Sequence, residues 1–550
     1  MKLKTSYFNS AVFRKNMTRF APAWVLYGIF LLLILATMAD ANSQASNLAS
    51  DLGNSLMPFA LLNAGYALLC AQLVFGDLFN ARMCNALHAM PMRRECWFLT
   101  NALSGLFFFL LPTAVMAGLS ILFLRQYLYV ALVWLLGMLL QYLFFYGVAV
   151  FSVFCVGNRF AMVLVYGIIN FLSILAYWLV YTFYEPLLYG IEVNTEPFLL
   201  VCPFVKFLTL DVMAVRPVVG ILWVTMAYYA ICAAVGLLFL GAGLALYRKR
   251  ALENAGDFMA VRRLSPVFLV LYTFCAGAAL YLFNKLFVSE DTMLFLLLGV
   301  VGGFFTGKML ILRTVRVFTK RSFLQLGALL GAFILTVVLT WLDPLGITRW
   351  VPKENEVAQI TISEGGSYSD QVVTISDPVL IQEALAIHQQ GVDDRDGGFN
   401  GKPDVKIFIS YKLKSGMTAL RNYYIDVDTD AGRCLQKYLS TPDCVLGISY
   451  HELSDPKDLV RIEIGKSEVE ITDAQQMQGL LAALAMDCQA GNMAQSGSFH
   501  QGEDQAEWIY LVTEMDDRSV NYRFIQIYEC CENTTRWLRE QGYTSETLPQ

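Results

Sequence analysis

The sequence predicts a polytopic α-helical membrane protein, with about nine transmembrane helices and its N-terminus inside, followed by a duplicated α+β extracytoplasmic domain. Its 550 residues are 56% hydrophobic and 15% charged, with a mean hydropathy of +0.51. Such a composition is typical of integral membrane proteins. The charge is uneven, because residues 343–550 carry 17 Lys+Arg against 33 Asp+Glu, whereas residues 1–342 carry 23 against 12. A basic apolar part therefore precedes an acidic polar part.

The apolar part divides into an interfacial N-terminal helix, a six-helix core and three additional spans. Residues 1–19 are basic and mildly amphipathic, which suits a helix on the inner membrane surface. Runs of about 20 apolar residues, each long enough to cross a bilayer, follow. We place them at 20–38, 56–75, 102–124, 128–156, 160–182, 217–247, 265–287, 292–311 and 322–342. The core comprises residues 20–247, and residues 248–342 hold the additional spans.

Lysine and arginine set the expected orientation. With the N-terminus inside, 19 of the 23 cationic residues before residue 343 fall in inner segments and four in outer segments. Cytoplasmic segments of membrane proteins are enriched in these residues. The expected location is the plasma membrane, with the bilayer as a partner and the C-terminal domain outside. The acidity of that domain argues against nucleic acid as a partner.

The outer domain reads as two copies of strand, strand, helix, strand, strand, helix. We assign them to residues 343–465 and 466–550, with the boundary between 456 and 466. Each first helix follows an aspartate, Asp377 or Asp473, and aspartate is a favoured N-cap. The alternation of Ile407, Ile409 and Tyr411 predicts a sheet with one packed face. We expect this domain to bind a ligand or to have a structural role.

The chain is predicted to have no catalytic, metal or nucleotide site of its own. Gly302–Met309 resembles a phosphate-binding loop, but it lacks the Ser or Thr after Lys308 and lies in an apolar run. The four histidines are scattered, and the cysteines of residues 343–550 form no CxxC pair. An enzyme is therefore not expected.

The spans hold almost no ionisable residue, although carriers coupled to protons or sodium normally need them. Uncharged polar residues do occur there, and we interpret them as a substrate path for an amphipathic cargo. They are Asn63, Gln72, Asn101, Gln141 and Asn170.

A polar stretch between the second and third spans, residues 75–98, is the candidate functional element. Its apolar residues recur at helical spacing, and it ends in Arg93, Arg94 and Glu95. A helix with one apolar stripe and a basic end, attached to a span on each side, is expected to lie at the membrane surface. The alternative is a cytoplasmic loop that only packs.

Within this stretch, the run Leu87–Leu106, LHAMPMRRECWFLTNALSGL, resembles the turn between spans two and three of ABC-2 type transporter permeases. The N-terminal helix and six-span core match the same family. The resemblance implies an exporter subunit that pairs with a second permease subunit, identical or different, and with a cytoplasmic ABC ATPase carrying the ATP and magnesium. The implied ATPase contact comprises Arg82, Asn85, Leu87, His88, Pro91, Arg93, Arg94 and Glu95.

Three additional spans and the outer domain depart from the family pattern. The outer domain resembles domains of unknown function attached to some permeases of Gram-positive bacteria. The leading hypothesis is the permease subunit of an ABC exporter with an amphipathic or envelope-related substrate. The alternative is a non-transporting membrane sensor or scaffold whose outer domain binds a cell-envelope ligand. An envelope enzyme is a third reading, for which the spans lack a cluster of Asp, His or Lys.

Overall fold

A computed structural model of the chain describes residues 7–38, 55–90, 92–123, 128–192, 196–209, 219–250, 256–287, 292–364, 373–375, 378–393, 404–426, 428, 430–441, 459–465, 469–493, 505–514 and 520–543. The chain forms two compact units, which are described separately. The helical unit comprises residues 1–180 and 195–334, and the sheet unit comprises residues 181–194 and 335–550.

The helices up to residue 342 are α1 (Ser10–Arg19), α2 (Ala21–Met38), α3 (Leu56–Val74), α4 (Ala81–His88), α5 (Arg94–Phe123), α6 (Leu128–Cys155), α7 (Arg159–Leu179), α8 (Glu196–Val201), α9 (Pro203–Thr209), α10 (Val219–Lys249), α11 (Ser265–Phe287), α12 (Thr292–Leu312) and α13 (Lys320–Leu342). Within the described residues, eight helices are long and apolar enough to cross a membrane. A ninth span results if the bent pair formed by α1 and the start of α2 is counted as one. The prediction of a polytopic helical membrane protein is confirmed at this level.

Helix α6 lies at the centre of the helical unit, packed against α3, α5, α7 and α10. Several of its large aromatic side chains, among them Trp134 and Tyr142, are fully buried. The α6 and α10 backbones approach closely at Gly147 and Gly236, where a side chain on either residue would meet the backbone of the other helix. Small residues allow this approach, and the close contact adds dispersion attraction between the helices. In a bilayer the hydrophobic effect contributes little to helix association, so such contacts matter more.

The sheet unit contains two antiparallel four-stranded sheets, each with two helices. In the first repeat, β1 (Val357–Glu364), β2 (Val373–Ile375), β3 (Asp404–Leu413) and β4 (Thr418–Asp426) take the order β2-β1-β3-β4. In the second, β5 (Leu459–Ile464), β6 (Val469–Ile471), β7 (Gln505–Glu514) and β8 (Val520–Tyr528) take the order β6-β5-β7-β8. The helices are α14 (Pro378–Asp393), α15 (Asp430–Leu439), α16 (Ala474–Ala490) and α17 (Glu532–Glu540).

The observed element order agrees with the predicted strand, strand, helix pattern in both copies. The first strand of the second sheet, β5, begins at Leu459. The side chain of Asp473 accepts a hydrogen bond from the Gln476 amide, as expected of an N-cap. The corresponding Asp377 lies outside the described residues.

Candidate functional site

The stretch between α3 and α5 folds as a short helical turn, Gly76–Phe79, followed by α4. The Asn80 side chain caps α4 by accepting a hydrogen bond from the Arg82 amide at 3.0 Å. Capping satisfies an amide that a helix start would otherwise leave without a partner. The predicted helix is therefore present, although only eight residues of it are regular.

Helix α4 has one attached face and one open face. Leu78, just before it, and Cys84 are buried in the core of the helical unit. On the other side, Arg82, Met83 and Asn85 are exposed. The spacing predicted one apolar side with Leu78, Met83 and Met90, and this is correct only in part, because Leu78 is buried whereas Met83 and Met90 are exposed. The side chains of Leu87 and His88, and all of Pro91, lie outside the described residues.

Arg94, at the start of α5, binds the end of α10. Its Nη1 donates to the carbonyl oxygens of Tyr247, Arg248 and Arg250, each at 3.1 Å. The guanidinium also lies 5.7 Å from the centre of the Tyr247 ring. The last carbonyls of a helix have no partner within it and carry partial negative charge, so a guanidinium there is stabilising. Arg94 consequently joins α5 to α10.

The neighbouring residues divide between attached and exposed positions. Glu95 pairs with Arg248 at 3.1 Å, which adds a second link between α5 and α10. Arg93 is exposed. An exposed ion pair contributes at most about 1 kcal/mol, so the three carbonyl contacts of Arg94 contribute more to this attachment than the ion pair does.

Arg250 is a buried cation beside this junction that the sequence analysis did not single out. Its Nη1 donates to the Val153 carbonyl, near the end of α6, at 3.1 Å, and Nη2 has no described partner. Burial lowers the pKa of Arg250, and the nearby Cys84, Tyr247 and Cys155 act in the opposite direction. In the sequence, Arg250 stood out only as one of several cationic residues after α10, and these were used only to predict the orientation of the chain in the membrane.

Helix α1 is attached to the same part of α5. The side chain of Asn16 is buried, and its Nδ2 donates to Asn101 Oδ1 at 2.8 Å and to Ser104 Oγ at 3.1 Å. Asn101, one of the predicted substrate-path residues, is therefore paired with the N-terminal helix.

Two other predicted path residues, Asn63 and Gln141, meet in the interior. Asn63 Nδ2 donates to Gln141 Oε1 at 3.0 Å, and Gln141 Nε2 donates to the Leu56 carbonyl at 3.0 Å. The hydroxyl of Tyr27 donates to Asn63 Oδ1 at 3.1 Å. Polar groups in a membrane interior need such partners, because the bilayer offers none. This network connects α2, α3 and α6.

Asn170 and Gln72 lie apart from that network. Asn170 is buried in α7, and its Oδ1 has no partner among the described residues. Gln72 is half-buried in α3. An unpartnered buried amide oxygen is uncommon and is a point where a polar group of a ligand can be accepted.

The sheet unit holds a second polar cluster, centred on the buried His388 of α14. Its Nδ1 lies 2.8 Å from the hydroxyl of Tyr411, and its Nε2 lies 2.9 Å from that of Tyr423. Burial, together with the charge of Arg421, lowers the pKa of His388 to about 3. A neutral imidazole satisfies both hydroxyls, since one nitrogen donates and the other accepts.

Strand β4 beside this histidine holds two other chain segments. The Asn422 amide donates to the Gly190 carbonyl at 3.1 Å, and Ile191 forms a β-bridge with Arg421. Arg421 Nη2 also donates to the Ile347 carbonyl at 3.1 Å. The first repeat thus binds both the segment that follows α7 and the segment that follows α13.

No group of three or more potential metal ligands occurs among the residues that the structure describes. Of the predicted ATPase-contact residues, Arg94 and Glu95 come together at the end of α10, whereas Arg82, Asn85 and Arg93 remain exposed. Comparison of the chain with protein-family models, with characterised proteins and with solved structures gives no match.

Proposed function

We propose that this chain is the membrane-spanning permease subunit of an ABC exporter. One observation carries the proposal: α4, between two membrane-length helices, has an exposed face that bears Arg82 and Asn85, while the adjoining start of α5 is hydrogen-bonded to the end of α10. A force on α4 would reach α3 and α5 through the chain and α10 through Arg94. The ABC-2-like run from Leu87 to Leu106 supports the same assignment.

In this proposal a cytoplasmic ATPase supplies ATP and magnesium, and this chain performs no covalent chemistry. Closure of the ATPase around ATP would displace α4, and its rigid attachments would move α5 and α10 together. Such displacement of packed helices is a known form of domain motion. A second permease subunit would complete the assembly, and the location would be the plasma membrane with the sheet unit outside.

The proposed cargo is amphipathic or envelope-related. The spans provide aromatic surface and uncharged polar groups, among them the buried amide oxygen of Asn170, which has no partner among the described residues. Asn63, Gln141 and Asn101 are hydrogen-bonded to protein groups, so a cargo would have to compete for them. Asn170 and Gln72 are therefore the first of the five predicted path residues to test.

The proposal is tested by capture of an ATPase. The full chain is purified from its native membranes, and co-purifying proteins with nucleotide-binding motifs are identified and assayed for ATP hydrolysis. In the double variant Arg82→Glu and Arg93→Glu, we expect capture to fall at least about tenfold, because two exposed cations become anions at the contact. The variant avoids Arg94, whose loss would disturb α10.

A matched control is Arg262→Glu with Arg263→Glu, which makes the same charge change at two other exposed arginines. It should leave capture unchanged. Equal capture by the wild-type chain and both variants would show that α4 does not contact the ATPase. The absence of any ATPase from the purified wild-type chain would contradict the exporter assignment.

A membrane sensor or scaffold is the second candidate, and the attachments of β4 favour it. Since the first repeat binds the segments after α7 and α13, a cell-envelope ligand that displaced the repeat would act on both. Under this reading, the purified chain binds envelope fragments through the sheet unit and carries no ATPase. The capture experiment therefore separates the two candidates.

A further inference from the structure

The hairpin between α12 and α13 is unusually cationic. Residues 292–342 contain no Asp or Glu, yet they include five cationic residues, which lie around the hairpin: Lys308, Arg313, Arg316, Lys320 and Arg321. Both flanking helices are long and apolar enough to span a membrane. The hairpin must then lie at one membrane surface, at the depth of the lipid headgroups.

Carboxylates compensate little of the positive charge of these residues. Lys308 Nζ donates to two neutral acceptors, Ser322 Oγ at 2.8 Å and Gln325 Oε1 at 2.6 Å, and it experiences the charge of Arg321. Arg313 lies 3.5 Å from Asp257. Among the described residues, no carboxylate forms an ion pair with Arg316, Lys320 or Arg321. The N-terminal end of the α13 dipole adds further positive potential.

Apolar side chains flank these cations. Val315 is 73% exposed, Phe318 62% and Leu324 74%. Beneath them, Val317 is buried with Phe304 and Phe305, so the turn has a packed interior. Cations beside exposed apolar side chains match a lipid, which offers phosphate and acyl chains together, better than a free anion.

We propose that this hairpin is a binding site for the headgroups of anionic phospholipids. Arg316, Lys320 and Arg321 contact the phosphate, while Phe318 and Val315 enter the upper acyl region. The hairpin is connected to the rest of the helical unit, since Arg313 pairs with Asp257 and the adjacent Gly256 amide donates to the Gly157 carbonyl at 2.8 Å. A bound lipid therefore also anchors the segment that joins the additional helices to the core. The proposal does not depend on the exporter assignment.

The test measures lipid selectivity of the full chain in phosphatidylcholine vesicles by electron spin resonance. Spin-labelled phosphatidylglycerol and spin-labelled phosphatidylcholine are compared for the fraction immobilised by the protein. The wild-type chain should prefer phosphatidylglycerol. In the variant Arg316→Gln, Lys320→Gln and Arg321→Gln, the preference should fall at least about twofold, because each cation near the surface contributes to attraction of anionic lipid.

Two controls keep the result specific. The charge-conserving variant Arg316→Lys with Arg321→Lys should retain the preference, and so should Lys412→Gln, Lys414→Gln and Lys437→Gln in the sheet unit. An unchanged preference in the triple hairpin variant would overturn the proposal. Complete displacement of the labelled lipid by excess inorganic phosphate would also overturn it, since the site would then be one for a soluble anion.

Discussion

The two repeats of the sheet unit share a topology but differ in their interiors. Ile360 pairs with Ile375 and Tyr411 in the first repeat, and Ile462 pairs with Ile471 and Leu511 in the second. The registers thus make Tyr411 equivalent to Leu511. The same registers make Arg421 and Tyr423 of β4 equivalent to Ile525 and Ile527 of β8.

The helices show the same contrast. Both first helices bury the same face, and in this alignment His388 of α14 corresponds to Leu484 of α16. Where the first repeat has histidine, two tyrosines and arginine, the second has four aliphatic residues. Aliphatic interiors need no hydrogen-bond partners, whereas each buried polar group needs one.

One turn further along these two helices, the second repeat has the polar residue and the first does not. Gly391 of α14 lies against the Tyr423 ring, and the equivalent position in α16 is Asp487. The buried Asp487 carboxylate accepts hydrogen bonds from the amides of Asn533 and Thr534, at 3.1 and 2.7 Å, at the start of α17. The Asp487 contacts therefore lie within the second repeat, whereas those of Arg421 and Asn422 in the first repeat reach two segments outside its sheet.

The largest expected effect tests the internal contact of the second repeat. Asp487→Ala removes a carboxylate that also accepts from the Thr534 hydroxyl at 2.6 Å, and it leaves buried donors unpaired. We expect a loss of about 3 kcal/mol in the free energy of unfolding of this repeat. The measurement is denaturant-dependent labelling of the buried thiols Cys488 and Cys531.

The exposed Glu532 supplies the control for that experiment. It lies in the first turn of α17, and Glu532→Ala should cost only a few tenths of a kcal/mol. Comparable losses in the two variants would mean that the Asp487 contact is not what stabilises the repeat.

A smaller effect is expected from pH, in the first repeat alone. The pKa of His388 is lowered from 6.5 to about 3 by burial, so below pH 6.5 the unfolded chain binds a proton that the folded chain excludes. The contribution of the neutral His388 to the free energy of unfolding is fully present above pH 6.5 and is lost as the pH falls toward 3. At pH 5 the loss should be about 2 kcal/mol.

Amide hydrogen exchange, corrected for intrinsic rates, measures this loss. The peptides of α14 should lose protection between pH 7 and pH 5 more than those of α16, whose equivalent position is Leu484. His388→Gln should abolish the difference. Parallel behaviour of the two repeats in the wild-type chain would show that His388 does not control the pH response.

The smallest energetic effect concerns residues 188–192 and 347–350, the two segments that β4 binds. Arg421→Leu gives the first repeat a more aliphatic interior, like that of the second. We expect its free energy of unfolding to change by only about 1 kcal/mol, because the lost hydrogen bonds are offset by the avoided burial of a charge. Exchange of the amides in 347–350 and 188–192 should nevertheless rise. Arg536→Leu, an exposed change in α17, should leave both segments protected; unchanged protection in Arg421→Leu would show that Arg421 does not hold them.

The sequence by itself determined the membrane-length helices and the element order of both repeats. Apolar runs and period-two alternation are local properties, and the backbone responds to them within a few residues. Helix α4 was predictable for the same reason, but its buried face was not, since the spacing assigned Met83 to the apolar side and the structure buries Cys84 instead.

Only the tertiary structure decided which partners the polar side chains take. Arg94 binds carbonyls 153 to 156 residues away, and Asn63 binds Gln141 across 78 residues. Nothing in the local pattern distinguishes Arg94 from the exposed Arg93, or His388 from an exposed histidine. Hydrogen bonds between distant residues depend on the packing of whole helices and sheets, so the choice of partner is fixed only when those elements come together.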